Sequence, residues 1–126
     1  MNRLFGLLGA LAGGIGVLAG AFGAHALKEA IPADRLEVFK TAVLYQLVHA
    51  LALLAVGLWE SRTPRRAFAV AGWAFVAGIV LFSGSLYALA LSGVKALGAI
   101  TPFGGVAFLV GWVALAVAAS NRPAGT

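Results

Sequence analysis

Residues 4–27, LFGLLGALAGGIGVLAGAFGAHAL, decide the fold. No formal charge interrupts these twenty-four positions, and Gly6, Gly9, Gly13, Gly16, Gly20 and Gly23 recur at spacings of 3, 4, 3, 4 and 3. A 3-4 alternation keeps one stripe of a helix turned toward a partner helix. In water a helix this rich in glycine is poor, because each glycine costs about 1 kcal/mol relative to alanine. In a bilayer the argument reverses. Backbone groups there have no water to bond, so the helix is enforced, and small residues become the surface on which helices approach.

The rest of the chain follows the same pattern. Of its 126 residues 62% are hydrophobic and 10% charged, with a mean hydropathy of +1.00, whereas about a quarter of an average soluble domain is charged. Four apolar runs between charged punctuation each reach the roughly 20 residues needed to cross hydrocarbon. The expected architecture is a single all-α integral membrane domain over residues 1–126. It is an antiparallel, left-handed bundle of four transmembrane helices at about residues 4–27, 41–59, 67–92 and 100–120, here spans 1 to 4. Span 3 has a small stripe of its own in Ala67, Ala71, Ala74, Gly78, Ser85, Ala88 and Ser92, with Leu81 at the one large position, and span 4 has Gly104, Ala107, Gly111, Ala114 and Ala118. Span 1, with the fullest seam, is expected to be the most buried helix, its glycines packed on spans 3 and 4.

Two decoys lie in span 1. Arg3 ahead of an apolar run ending in Ala24-His25-Ala26 resembles a secretory signal peptide, but the run exceeds the usual h-region of 7 to 15 residues. Gly14-Ile15-Gly16-Val17-Leu18-Ala19 matches a dinucleotide-binding fingerprint with no βαβ unit around it, so glycine density accounts for it.

The connections carry the charge. In the segment from Lys28 to Lys40, Pro32 stops span 1 and Asp34 is placed to cap an interfacial turn that leads into span 2, with Arg35 in the wet part. Glu60 to Arg66 is short and basic, Ser92 to Gly98 reads as a tight turn, Pro102 falls in the first turn of span 4, and the tail from Asn121 reads as frayed. The net charge of +5 is spread thinly over these links, which fits interfacial anchoring and not nucleic-acid binding. Arg3, Arg62, Arg65, Arg66 and Arg122 on one side face Lys28, Arg35, Lys40 and Lys95 on the other, a bias that favours cytoplasmic termini.

Alternating topology gathers the end of span 1, the start of span 2, the end of span 3 and the start of span 4 in one half of the bilayer. That half receives His25, Thr41, Tyr45, Gln46, His49, Ser83, Ser85, Tyr87 and Thr101, while the other half is assigned the tryptophans and aliphatics. An intramembrane ionisable residue is a functional-site hypothesis by default. The structural reading gives a neutral His49 a bond to Gln46, Tyr45 or a serine of span 3, and so a role in helix register. The functional reading makes His49 the centre of a proton relay or ligand site. Ser83 and Ser85 point roughly 200° apart, so at most one is expected at His49 and the other on its own helix. Two histidines without a carboxylate or thiolate in reach make a poor metal site. Glu29, Asp34, Glu37 and Glu60 all lie in connections, which leaves nucleophilic catalysis without an acid.

The motifs Gly20-Ala21-Phe22-Gly23-Ala24-His25, Phe39-Lys40-Thr41-Ala42 with Tyr45-Gln46 and His49-Ala50, Phe82-Ser83-Gly84-Ser85-Leu86-Tyr87, and Thr101-Pro102-Phe103-Gly104-Gly105 with Gly111-Trp112 resemble the domain-of-unknown-function 423 family of small bacterial inner-membrane proteins. The resemblance covers nearly the whole chain. It implies a four-span membrane protein with no established activity. The expectation is therefore a non-enzymatic structural, lipid-contacting or interaction subunit that needs no cofactor. Its expected partners are membrane lipid and either another membrane protein or a second copy of itself. A small transporter or proton-coupled channel built on the His49 cluster is the alternative.

Overall fold

A computed structural model describes residues 3–120; the tail read as frayed, and Arg122 with it, lie outside the described residues. Four helices among them are long and apolar enough to cross a membrane: Arg3–Leu27, Ala33–Arg62, Arg66–Ser92 and Lys95–Ser120, spans 1 to 4 in order. The links are short enough to make consecutive spans antiparallel neighbours.

Span 2 begins well before Thr41. Pro32 stands outside the helix at φ −59° and ψ 153° and occupies the cap position itself; its carbonyl accepts the Leu36 N–H at 3.0 Å. Asp34 therefore lies within the first turn, where its charge suits the helix dipole, and makes no side-chain cap bond. Helix then runs without a break to Arg62 and resumes at Arg66, so the basic link shrinks to three residues, Thr63 to Arg65. Span 3 ends at Gly93, whose φ of 75° is the left-handed conformation a helix stop favours in glycine, with its N–H on the Leu89 carbonyl at 2.7 Å. The expected tight turn is confined to Gly93 and Val94, because Lys95–Ala99 already forms a 3₁₀ turn leading into span 4.

Span 1 is not the centre of the bundle. Only 17% of its most apolar stretch is buried, against 50% for span 2. The two helices run along one another, and it is span 2 that the glycine seam faces, not spans 3 and 4. A Cβ placed on Gly9 would lie 2.9 Å from the Ala50 carbonyl oxygen, and one on Gly16 would lie 2.7 Å from the Leu47 side chain. Gly20 and Gly23 meet Val43 and Phe39, Gly13 keeps an ordinary 3.8 Å from Ala50, and Gly6 has open space beside it. The periodicity reports a close approach but does not name the partner. Burial selects span 2, which carries the buried amide of Gln46 and the buried imidazole of His49, groups that hydrocarbon excludes.

Spans 3 and 4 pair differently. Three of their glycines receive phenylalanine rings, Phe108 on Gly78, Phe75 on Gly111 and Phe5 of span 1 on Gly72, whereas Gly104 lies against the backbone of Phe82. Leu81 does not fill the large position. A π turn over Ile79–Ser83 lets one extra residue into the helix, so Leu81 turns outward and Phe82 packs on span 4 instead. Phe5, Leu53, Val56, Phe68, Ala71, Phe75 and Phe108 form the main core, and a second cluster joins Phe39, Val43 and Ala90 at the other end.

Substitution at the tightest glycines should separate packing from chance. Gly9→Ala meets span 2 backbone and Gly104→Ala meets the Phe82 backbone, so each should cost about 1–3 kcal/mol, the usual range for overpacking. Gly13→Ala and Gly14→Ala have room and should melt in detergent within a degree or two of the parent by the ordinary size scaling. Equal melting of all four variants would mean that the seam is not a packing surface.

Candidate functional site

The polar half does not form one cluster. It resolves into separate bonds, each holding one helix to another. Gln46 is buried at 4% exposure on the face of span 2 that looks between spans 1 and 3. Its amide nitrogen donates to the Ala12 carbonyl of span 1 at 2.8 Å, and its amide oxygen accepts the Tyr87 hydroxyl of span 3 at 2.6 Å. One side chain thus links three spans.

Ser83 donates to the Ala42 carbonyl of span 2 at 2.8 Å, and Ser85 lies 2.6 Å from the Thr101 hydroxyl of span 4 while also bonding its own helix at the Phe82 carbonyl. The two serines do point apart, but neither reaches His49. Span 3 passes between spans 2 and 4, so opposite directions are both interfaces. The π turn that ends at Ser83 sets that register.

His49 is 3% exposed, and of its three expected partners it takes Tyr45, through the backbone carbonyl, but neither Gln46 nor a serine of span 3. Trp112 of span 4 donates its indole N–H to Nε2 at 3.0 Å, and Nδ1 lies 2.7 Å from the Tyr45 backbone carbonyl. Indole can only donate, so Nε2 must accept, the proton belongs to Nδ1, and the ring is neutral. Phe108 stacks on the imidazole with centroids 3.5 Å apart, and Phe75 lies at 5.5 Å on a tilt. Tyr45 supplies its carbonyl and an outer aromatic wall against Phe82, 4.5 Å between centroids. Trp112, assigned with the other tryptophans to the opposite half, reaches this site from the middle of span 4. Counting from Thr101 at 1.5 Å per residue puts it about 16 Å into span 4, deep enough to meet a mid-bilayer histidine.

Two expected members stand apart. Thr41 is exposed and bonds back to the Glu37 carbonyl at 3.0 Å, and His25 is exposed with no side-chain hydrogen bond among the described residues. Arg35, which the charge pattern placed in water, is half-buried. Its Nε and Nη2 donate to the Ala90 and Leu91 carbonyls at 2.9 and 3.1 Å, satisfying acceptors left over at the end of span 3 and complementing that helix's negative pole. An arginine three residues past a helix-starting proline, opposite a helix ending in Ser-Gly, is the signal that would have found it. No group of three or more His, Asp or Glu gathers among the described residues.

Double-mutant cycles can weigh the central link. Gln46→Leu and Tyr87→Phe each remove one partner of the 2.6 Å bond. Their coupling in lipid should fall at about 0.6–1.7 kcal/mol, the range for interhelical bonds in membranes. A coupling indistinguishable from zero would mean that the amide and phenol do not meet.

Comparison with known proteins agrees with this architecture. The family model described as "Protein of unknown function (DUF423)" matches residues 19–105, which include each of the side chains that hydrogen-bond between helices above except Trp112. The UPF0382 membrane protein YwdK of Bacillus subtilis is 47% identical over 118 residues, 93% of this chain and 96% of the relative. A UPF0382 membrane protein of Staphylococcus aureus is 47% identical over 116 residues, 92% and 94% of the two chains. No solved structure matches. On the motif match and on identity across nearly its whole length, the chain belongs to the DUF423 family, and it is an integral membrane protein.

Proposed function

We propose that this chain is a non-enzymatic bundle of the bacterial inner (plasma) membrane that acts as a structural, lipid-contacting or interaction subunit, using no cofactor and associating with another membrane protein or with itself. One observation carries the reading. The buried polar side chains of the described spans, Gln46, His49, Ser83 and Ser85, are all bonded to protein, most of them across helices. A carrier needs polar groups free to exchange partners with solute or water, and here the bonds between helices occupy them. Among the described residues the one buried side-chain nitrogen or oxygen without a partner is Nε of Arg65, in the link between spans 2 and 3, far along the chain from the His49 site.

The proton-relay alternative loses support from the same geometry. A relay histidine must release one nitrogen and reach water, whereas both nitrogens of His49 are engaged and aromatic rings cover its faces. Imidazole NMR of labelled protein in nanodiscs tests the choice. The His49 ring should remain the Nδ1–H tautomer from about pH 5 to 8, and Trp112→Phe should perturb its Nε2 resonance without conferring solute flux in liposomes. A ring that titrates in that window and exchanges with water would replace this reading with the transporter.

The orientation belongs to the same proposal. Arg3, Arg62, Arg65 and Arg66 share the end that carries both termini, and at the opposite end one of the four basic residues, Arg35, is engaged in capping span 3. The chain has no cysteine, so single substitutions report cleanly. In intact cells stripped of any outer membrane, Glu29→Cys should react with an impermeant maleimide and Ser61→Cys should react only after lysis. The reverse pattern would invert the topology.

A further inference from the structure

The glycine seam that closes span 1 onto span 2 is open at one end. A Cβ on Gly9 would lie 2.9 Å from the Ala50 carbonyl oxygen, whereas one on Gly6, a turn nearer the terminus, meets nothing within 4 Å. A cleft of about 380 Å³ occupies the gap, lined by Arg3 and Gly6 of span 1 and by Leu54, Gly57, Leu58 and Ser61 of span 2. Trp59, next to Leu58, is exposed as an aromatic at the headgroup boundary is. Arg3 and Ser61 therefore stand at headgroup level, and Leu54 lies about 10 Å below Ser61, in hydrocarbon, at 1.5 Å per residue.

Charge sets this cleft apart. A larger opening between spans 1 and 3, of about 530 Å³, has no charged residue in its lining. At the arginine end, Arg3, Arg62, Arg65 and Arg66 stand against one acid, Glu60, and the one ion pair among the described residues, Lys40 with Glu37, belongs to the opposite end. Arg62 continues the Leu54–Leu58 stripe at i+4 toward the rim of the cleft. Ser61 already donates its proton to the Leu58 carbonyl at 2.7 Å, so guanidinium is what the mouth has to offer.

We infer that this cleft seats an anionic phospholipid, its phosphate on the Arg3 guanidinium and the first part of an acyl chain over Gly6 and Gly57. The planar fork of arginine matches phosphate, and basic pockets between transmembrane helices at the membrane surface are a recurrent form of headgroup site. The volume falls within the range of small-molecule sites, about 300–1,000 Å³. A zwitterionic lipid would bring an ammonium group to an end where arginines already outnumber acids four to one. A second copy, inserted with the same topology, would bring its own four arginines to the same level, so charge opposes it as the occupant. The inference rests on the lipid-contacting reading proposed above and narrows it to a lipid class and a place. Its failure leaves the scaffold standing, which the His49 titration tests separately.

Native mass spectrometry of the whole chain in a neutral detergent, titrated with phosphatidylglycerol or phosphatidylethanolamine of matched acyl chains, tests the site. The parent should retain phosphatidylglycerol several-fold better. Arg3→Gln should erase a factor of about five, which corresponds to about 1 kcal/mol for a basic residue at an anionic lipid surface. Arg66→Gln removes the same charge from the same end outside the cleft and should leave most of the preference. Gly6→Leu keeps every charge, has open space in which to fold, and should abolish the preference by filling the cleft. Should it lose its helical circular dichroism, the two arginine variants still decide. Equal retention of the two lipids overturns the inference. So does equal loss from Arg3→Gln and Arg66→Gln, or a preference that survives in folded Gly6→Leu, since either reduces the effect to general attraction. Displacement of the lipid by equimolar inorganic phosphate, or a photo-crosslinker at Leu58 that captures an acidic membrane protein in place of phospholipid, overturns the lipid as occupant.

Discussion

A primary amide cannot be left unbonded in hydrocarbon, and the position of Gln46 imposes that constraint on three helices together. The group must find a donor and an acceptor within the protein, because the bilayer offers neither. Ala12 and Tyr87 supply them from opposite sides. Once those bonds are made, spans 1 and 3 are fixed in register against span 2, and span 2 is committed to the interior. The same logic brings His49 to Trp112 and the Ala42 carbonyl to Ser83. Span 2 is central because it is the helix that lipid tolerates least.

Glycine then determines how closely the apolar helices follow. Helices dissolved in lipid gain little from excluding hydrocarbon, so contact area and interhelical bonds hold them together. The chain makes that contact in two ways. Along spans 1 and 2, Gly9 brings backbone to backbone, close enough that an added methyl would touch the Ala50 carbonyl. Between spans 3 and 4, Gly111 and Gly78 are sockets that Phe75 and Phe108 fill with flat, rigid rings that lose little freedom on burial, while Gly104 admits the Phe82 backbone. Phe108 serves two purposes, since its ring both fills the socket at Gly78 and covers one face of the imidazole.

Four spans, their antiparallel order and the half of the membrane that holds the polar groups were legible from charge punctuation and hydropathy, because those depend on composition along a helix and on chain alternation. The centre of the bundle was not. A 3-4 glycine period states that something approaches closely, and it says the same whether the neighbour is span 2 or span 3. Leu81 was misplaced because a π turn shifts every later position, and nothing in Ile79-Val80-Leu81-Phe82-Ser83 announces one. His49 was found as a buried polar residue, but its donor was not, since tryptophan in a membrane protein is usually read as an interfacial anchor. Arg35 was missed because its acceptors are backbone carbonyls, which the sequence marks only through where helices start and stop.

The two ways of packing also explain why the molecule is asymmetric. Span 4 is socketed along its length into span 3 and bonded through Thr101 and Trp112, so that side of the bundle is closed by rings and polar links. Span 1 spends its glycines on span 2 and turns Leu11, Ile15 and Leu18 away from it. Toward span 3 it offers Phe5 at one end and the Ala12 carbonyl, which reaches span 3 only through the Gln46 side chain. An amide and a phenol bridge the gap without filling it, because two hydrogen-bonded side chains occupy a line and a helix interface occupies a plane. The opening between spans 1 and 3 is thus the geometric remainder of placing the polar helix at the centre and meeting its hydrogen bonds from both sides.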